Sequence, residues 1–181
     1  FSGFGGNSDP VELFSVDLPK LEFGETVQIG APFGPFTIGL EGEFEMATDF
    51  ALGFDSSGLF GDGSFEEGFF IEAQLDDVAG VAFPILELGF FIGAFGSVNL
   101  GLAEAGVRGG VKGELGMGFS AAQEGIKRLN DFGCLFDEIG GRLAAVVDAF
   151  AKIGVGPFSY TVRQSLFDIT LAQFNASPCS G

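Results

Sequence analysis

Hydrophobic and polar residues alternate along much of the chain, most regularly between Thr37 and Asp55. The even-numbered positions of this segment carry its large apolar side chains, which are Ile38, Leu40, Phe44, Met46, Phe50, Leu52 and Phe54. The odd-numbered positions carry only Thr, Gly, Glu, Ala and Asp. A period of two is that of a β-strand, whose successive side chains point to opposite faces. The segment therefore predicts a long ribbon with one apolar and one acidic face.

This ribbon is longer than an ordinary strand, since strands typically have about 5 to 6 residues. We expect it to bend, and Gly39, Gly42 and Gly53 are the predicted positions of bulges or sharp coiling. A second ribbon runs from Gly96 to Phe119. Its apolar positions change phase between Ala103 and Gly106, which predicts a bulge that exchanges the two faces.

Shorter alternating segments complete the predicted sheet. They are "VELFSVDL", "LEFGETVQIG" and "FFIEAQLDD", with a turn at "APFGPF". The C-terminal "FSYTVRQSLFDITLAQF" is predicted as a strand from its β-branched and aromatic residues. Ser120 and Gln123 form a capping box that predicts a short helix or turn. Residues 135–155 satisfy both strand and helix spacing, and the adjacent Gly140 and Gly141 favour a strand.

These patterns predict a mainly β protein, with long, strongly curved antiparallel strands in a sandwich or barrel-like sheet and at most one or two short helices. The predicted organisation is a flexible N-terminal arm at 1–10, a single β-rich domain at 11–174 and a C-terminal tail at 175–181. The predicted core residues are Phe44, Phe50, Phe54, Leu100, Val107, Val111 and Phe119.

Composition narrows the possible functions. The formal net charge is −17, which repels phosphate backbones and argues against nucleic-acid binding. Hydrophobic residues make up 46% of the chain, too many for an acidic disordered protein. No uninterrupted apolar run reaches the roughly 18 residues of a membrane-spanning helix. The sequence starts at Phe1 rather than at Met, and we interpret it as a processed chain or as a piece of a longer one.

Few residues are available for catalysis. The chain has no histidine, which excludes Ser-His-Asp and Cys-His catalytic sites and histidine-ligated zinc. Acidic pairs such as Glu66 with Glu67 are adjacent in sequence, so on a strand their carboxylates would point to opposite faces. We therefore predict no catalytic residues, no cofactor-binding residues and no enzyme activity.

Two other candidate sites remain. Cys134 and Cys179 are the only cysteines, and they either form a disulfide in an exported protein or stay as one buried and one flexible thiol. Asp55, Asp62, Asp76 and Asp77 are candidate calcium ligands because calcium binds carboxylate oxygens. Their spacing does not match the D-x-D-x-D-G loop, so a solvated acidic loop is the alternative.

The order of several motifs resembles a conserved segment of very large secreted or surface proteins of bacteria, which often carry cadherin-like, Ig-like or haemolysin-type calcium repeats. The motifs include "LFSVDLPKLEF", "FGPFTIGLEGEFEMATDFALGFDSSGL", "VNLGLAEAGVRGGV" and "CLFDEIGGRLAAVV". Many members carry an acidic insertion near the position of "AAQEGIKRLNDF". Here Gly125, Lys127 and Arg128 are present and the preceding carboxylates are not. The resemblance implies an extracellular location and no particular reaction.

Three functions follow as hypotheses. The first is a secreted or cell-surface structural protein, whose partners are copies of itself or a surface or matrix component and whose strands assemble into a filament, sheath or surface layer. The second is a secreted barrel or groove that binds a lipophilic ligand through interior Phe residues. The third is an outer-membrane barrel, which the absence of Trp, the single Tyr and the many acids disfavour.

Overall fold

A computed structural model describes residues 10–60, 64–119, 126–129, 136–154 and 159–179. The described residues form two antiparallel sheets packed together, with no closed barrel, as the predicted sandwich requires. The helical elements that lie wholly within the described residues are α1 (Ser57–Phe60) and a 3-10 turn (Phe65–Gly68). The predicted fold class is confirmed.

The smaller sheet has four strands in the order β1 (Glu12–Asp17), β4 (Phe50–Asp55), β5 (Phe69–Ala73) and β8 (Ile126–Arg128). The larger sheet has six strands. In spatial order they are β10 (Tyr160–Ala176), β9 (Glu138–Ile153), β7 (Ala103–Phe119), β6 (Phe83–Asn99), β3 (Phe36–Thr48) and β2 (Leu21–Phe33). The predicted strand within 135–155 is therefore present as β9.

The ribbon predicted at 37–55 is divided between the two sheets. It breaks at Asp49, where β3 of the large sheet ends and β4 of the small sheet follows. The Asp49 carbonyl accepts a hydrogen bond from the Gln74 amide at 3.3 Å. The prediction of bulges at Gly39, Gly42 and Gly53 was wrong, because the register runs through all three without a shift.

The ribbon predicted from Gly96 to Phe119 is part of a hairpin. Strand β6 ends at Asn99, and the Asn99 side-chain oxygen accepts a hydrogen bond from the Gly101 amide at 2.8 Å. Gly101 has a φ of +89°, a left-handed conformation that glycine adopts without steric cost. The predicted bulge was therefore wrong. The apolar positions change from even to odd numbers because the chain turns at Gly101 and β7 runs antiparallel to β6.

Several boundaries match the predictions and others fall outside the described residues. The turn in "APFGPF" lies between β2 and β3, with Gly34 at a φ of +65°. Strand β10 continues to Ala176, two residues into the predicted tail. The arm at 1–9 and the capping box of Ser120 and Gln123 lie outside the described residues.

The buried core differs from the one predicted. Phe54 and Phe119 are buried, at 5% and 0% exposure. The side chains of Phe44, Leu100, Val107 and Val111 are exposed, and Phe50 is half-buried. The alternation correctly predicted that the apolar residues of a strand, such as Val107 and Val111, share one side of the sheet. It did not predict that this side is exposed.

Candidate interaction surface

Strand register defines two faces of the six-stranded sheet. Residues paired across neighbouring antiparallel strands project on the same side. On one side the register aligns Glu43 with Phe91 and Lys112, and Arg108 with Asp148; we call this the polar face. On the other side it aligns Leu40 with Ala94 and Gly109, and Phe44 with Phe90 and Gly113; we call this the apolar face.

The sheet is curled with its polar face on the inside. Arg163 on β10 donates a hydrogen bond to Glu43 on β3 at 2.8 Å. Strands β9, β7 and β6 lie between them, so in a flat sheet their backbones would be about 19 Å apart, at roughly 4.8 Å for each spacing. The two side chains cannot reach across that distance. The polar face is therefore concave and the apolar face convex.

Arg108 is the centre of an ion network on the concave face. Its guanidinium donates to Glu41 at 2.5 Å, to Glu43 at 2.6 Å and to Asp148 at 3.0 Å. Arg108 is 9% exposed and Glu41 is 3% exposed. Buried charges are tolerated when they are paired and hydrogen-bonded, as these are. The network links strands β3, β7 and β9 through their polar face.

The network changes the acidity of its members. Burial acts to raise the pKa of Glu43, but hydrogen bonds from Arg108 and Arg163 outweigh it and hold the pKa below its ordinary value. Glu45, next along the same face, shows the opposite shift. Burial and the neighbouring Glu43 carboxylate raise the pKa of Glu45 above its ordinary value. Glu45 therefore takes up a proton at a higher pH than Glu43 does.

The convex face is apolar and open to solvent. Its exposed side chains include Val27, Ile29, Ile38, Leu40, Phe44, Phe90, Ile92, Val107, Phe167, Ile169 and Phe174. Among the described strand residues of this sheet, the register places only one charged side chain on the face, that of Glu25. Soluble monomers rarely expose apolar patches this extensive, so the face is a candidate interaction surface.

Aromatic rings lie over glycines on this convex face. Phe90 covers Gly113 and Phe174 covers Gly141, each across a neighbouring strand. A Cβ added at Gly141 would lie 2.1 Å from the Phe174 ring. Between these pairs lies an open groove of about 510 Å³, whose apolar side chains are Phe44, Leu88, Phe90, Leu115, Leu143 and Phe174.

The two ends of the large sheet are unpaired edges in the described part of the chain. Strand β2 pairs only with β3, and β10 pairs only with β9. Both strands are exposed along their whole length, 13 residues in β2 and 17 in β10. The β2 register is regular from Leu21 to Phe33, whereas that of β10 is interrupted twice by bulges. An unpaired edge offers backbone donors and acceptors to another strand.

A second ion cluster accounts for one calcium candidate. Asp55 accepts hydrogen bonds from Arg128 at 2.7 Å and from the Ser57 amide at 2.9 Å. These contacts outweigh the burial that acts to raise its pKa, so the pKa of Asp55 lies below its ordinary value. Arg128 also donates to the Glu67 carbonyl at 2.6 Å, which ties β8 to the 3-10 turn. Asp55 thus has an arginine as its counter-ion.

The other calcium candidates are not brought to Asp55. Asp76 and Asp77 are exposed beyond the end of β5, and Asp62 lies outside the described residues. No group of three or more potential ligands occurs among the residues that the structure describes. Calcium binding by these four residues therefore has no structural support from the described residues.

One cysteine of the predicted disulfide is described. The sulfur of Cys179 is disulfide-bonded and lies 3.1 Å from the carbonyl oxygen of Phe136. Cys134 lies outside the described residues, so the pairing of the two cysteines stays a prediction. The contact places the end of the described chain beside the start of the segment that leads into β9.

Sequence reasoning missed the basic residues of the concave face. The chain has 8 basic residues against 25 acidic ones, so a base within a strand has many carboxylates available as ion-pair partners. Arg108 occupies the phase of β7 opposite to that of Val107 and Val111. This alternation could have assigned Arg108 to the acidic face of the sheet. Its partners on β3 and β9 could be identified only from the order of the strands.

Comparison of the chain with protein-family models, with curated proteins and with solved structures finds no match. The resemblance to a segment of large bacterial surface proteins therefore stays a prediction. None of the helices in the described ranges has the length and hydrophobicity needed to cross a lipid bilayer.

Proposed function

We propose that this chain is a non-enzymatic structural module of the cell exterior, which assembles through its long strands into a filament, sheath or surface layer. The observation that carries the proposal is the pair of edges, β2 and β10, at the two ends of one sheet, whose outer sides no strand of the described residues pairs with. Strand addition at such an edge satisfies backbone groups that otherwise face solvent.

Of the two edges, β2 is the more suitable for strand addition. Its register with β3 continues without a bulge over 13 residues, and Pro32 stands near its end, beside the turn. Bulges at Ser165–Phe167 and Thr170–Ala172 in β10 are devices that commonly protect an edge from unspecific pairing. We propose that β2 of one copy pairs with the straighter part of β10 in the next.

The bonded state of Cys179 supports the proposed location. Structural disulfides form and persist in oxidising compartments, such as the cell exterior and the bacterial periplasm. The net charge of −17 also limits unspecific association of a protein with open sheet edges.

Negative-stain electron microscopy tests the proposal directly. Native material and the purified chain in detergent-free buffer are imaged side by side, and the purified chain is followed by sedimentation over a wide concentration range. We expect regular filaments or sheets that grow with concentration. Discrete particles of one size at every concentration, together with native material that lacks ordered polymers, would contradict the proposal.

A second candidate function is the binding of a lipophilic ligand. The groove beside Phe90 and Phe174 supports it, since apolar lining with few polar groups is typical of such sites. The groove lies on the convex face, whereas the ligand was expected in an interior lined by Phe. Mass spectrometry of a solvent extract tests this function, and a single co-purifying lipid species in stoichiometric amount would favour it.

A further inference from the structure

We propose that the convex apolar face of the six-stranded sheet contacts lipid acyl chains, with the charged concave face turned away from the hydrocarbon. This inference concerns the face of the sheet and does not rest on the pairing of its edges.

The first argument is the separation of charge between the two faces. Arg108 and Arg163 lie on the concave side, where both pair with Glu43. On the convex side Glu25 is the one charged residue among the described strand positions. A face in water needs polar groups for hydration, whereas hydrocarbon excludes them. The convex face has the composition of a surface in hydrocarbon.

Curvature distinguishes lipid from a second copy of the chain. The contact between Arg163 and Glu43 requires the apolar face to be convex. Two convex faces meet along a narrow strip, which leaves most of both apolar surfaces in water. Acyl chains are flexible and follow a convex surface over its full width. Lipid is therefore the occupant that covers Ile38 at one side of the face and Phe167 at the other.

The apolar positions of the convex face are continuous along its strands. On β3 they run from Phe36 to Met46. On β6 they run from Leu86 to Val98 with no charged residue. The acids of β3, which are Glu41, Glu43 and Glu45, project to the concave side, and Glu25 on β2 is the exception on the convex side.

The net charge specifies the lipid class. A chain of charge −17 is repelled by anionic headgroups, so the favoured surface is zwitterionic, as in phosphatidylcholine. The contact is with the acyl chains rather than with a particular headgroup, because the groups that could bind a headgroup are paired with one another on the concave face.

Flotation with phosphatidylcholine vesicles in a density gradient tests the inference. The wild-type chain is expected in the floating fraction. Ile92→Glu places a carboxylate in the middle of β6 on the convex face, where the native side chain is 67% exposed, and is expected to lower the vesicle-bound to free ratio at least tenfold. Leu100→Glu is the matched control, since Leu100 is 69% exposed in the turn beyond β6 and should float like the wild type.

The remaining outcomes distinguish lipid contact from self-association of the chain. Circular dichroism at rising temperature confirms that both variants fold, which both exposed positions should allow. A wild-type chain that stays with the dense fractions overturns the inference. So does a defined wild-type dimer that Ile92→Glu converts to a monomer, because a second copy would then cover the face. A chain that floats without forming filaments supports lipid contact and contradicts assembly through the strand edges. A chain that forms filaments without floating supports assembly through the edges and contradicts lipid contact.

Discussion

The guanidinium of Arg108 lies 4.3 Å above the centroid of the Phe91 ring, while its nitrogens bind Glu41, Glu43 and Asp148. This one side chain therefore contacts three carboxylates and covers an aromatic ring inside the curled sheet. Removal of one partner from a buried ion cluster leaves the others unpaired, which costs far more than the cluster itself contributes.

Arg108→Met is therefore expected to lower the free energy of unfolding by about 3–5 kcal/mol, as for other broken buried ion pairs. Urea unfolding followed by circular dichroism measures the change. Lys112→Met on the same strand is the control, because Lys112 is 42% exposed and pairs with Glu114 near the surface. Such a pair contributes about 0–1 kcal/mol. Equal losses in the two variants would show that the Arg108 network is not an energetic centre of the sheet.

Glu43 gives the protein a pH dependence of known sign. Its folded pKa is below its unfolded value, so its stabilisation is present above about pH 4.5 and is lost as the pH falls through the folded pKa. Asp55 and Glu114 act in the same direction. We expect the urea midpoint to fall between pH 5 and pH 3, by an amount that Glu43→Gln reduces.

Glu45→Gln is the control for this pH dependence. The raised pKa of Glu45 reflects burial and repulsion from Glu43, so its ionised form destabilises the fold. Its replacement should raise stability at pH 7 and steepen the loss in acid. A loss of stability at pH 7 in Glu45→Gln would contradict the assigned repulsion.

Gly110 and Gly42 are glycines in strands of the same sheet with opposite surroundings. A Cβ at Gly110 would lie 2.3 Å from the backbone oxygen of Ile92, whereas one at Gly42 would meet nothing within 4 Å. Gly110→Ala is expected to destabilise by about 1–3 kcal/mol because backbone must move. Gly42→Ala is expected to stabilise by about 0.4–1 kcal/mol. The melting temperatures of the two variants measure the difference. A higher melting temperature for Gly110→Ala than for Gly42→Ala would contradict the close approach of Gly110 to the Ile92 backbone.

Adjacent proline substitutions test the β2 edge. Backbone N–H groups alternate in direction along a strand, so of Thr26 and Val27 one donates towards β3 and the other towards the open edge. Thr26→Pro and Val27→Pro should therefore differ. One should unfold about 1–3 kcal/mol more easily for its lost ladder bond, and the other should keep its melting temperature and lose filament formation. If the variant of native stability assembles like the wild type, β2 is not the assembly edge.

The cysteine pairing predicts a defined mass result. Alkylation without reductant should add no mass, and alkylation after reduction should modify both Cys134 and Cys179. Replacement of both by Ser should lower stability by about 2–4 kcal/mol, since the bond restricts the unfolded chain. Two alkyl groups on the unreduced chain would contradict an intramolecular bond.

The period of the sequence was a good guide to secondary structure. Strand β3 lies where alternation placed it, because alternation reflects the strand geometry itself. Strand β9 was predicted from the adjacent Gly140 and Gly141 and β10 from its β-branched and aromatic residues, and both strands are present. The break at Asp49 and the hairpin turn at Gly101 were missed. Each depends on which strands become neighbours, and that information is not contained in a local pattern.

The choice of the buried face could not be made from periodicity. A period of two separates Leu40 from Glu41 and leaves open which of them faces inward. The apolar side is normally buried, which is why Phe44 and Val111 were expected in the core. Here Arg108 and Arg163 bring the acids inward from distant strands, and these pairs span 67 and 120 positions of the chain.

The position of the small sheet has a consequence for the rate of folding. Thr48 at the end of β3 pairs with Leu86 near the start of β6, and β4, α1, the 3-10 turn and β5 all lie in the chain between them. The β3–β6 ladder therefore closes a long loop before it gains its hydrogen bonds, which makes nucleation at this ladder slow. Local hairpins such as β2–β3 and β6–β7 form without that entropic cost. Refolding should begin in these hairpins, with the joining of β3 to β6 as the late and rate-limiting event.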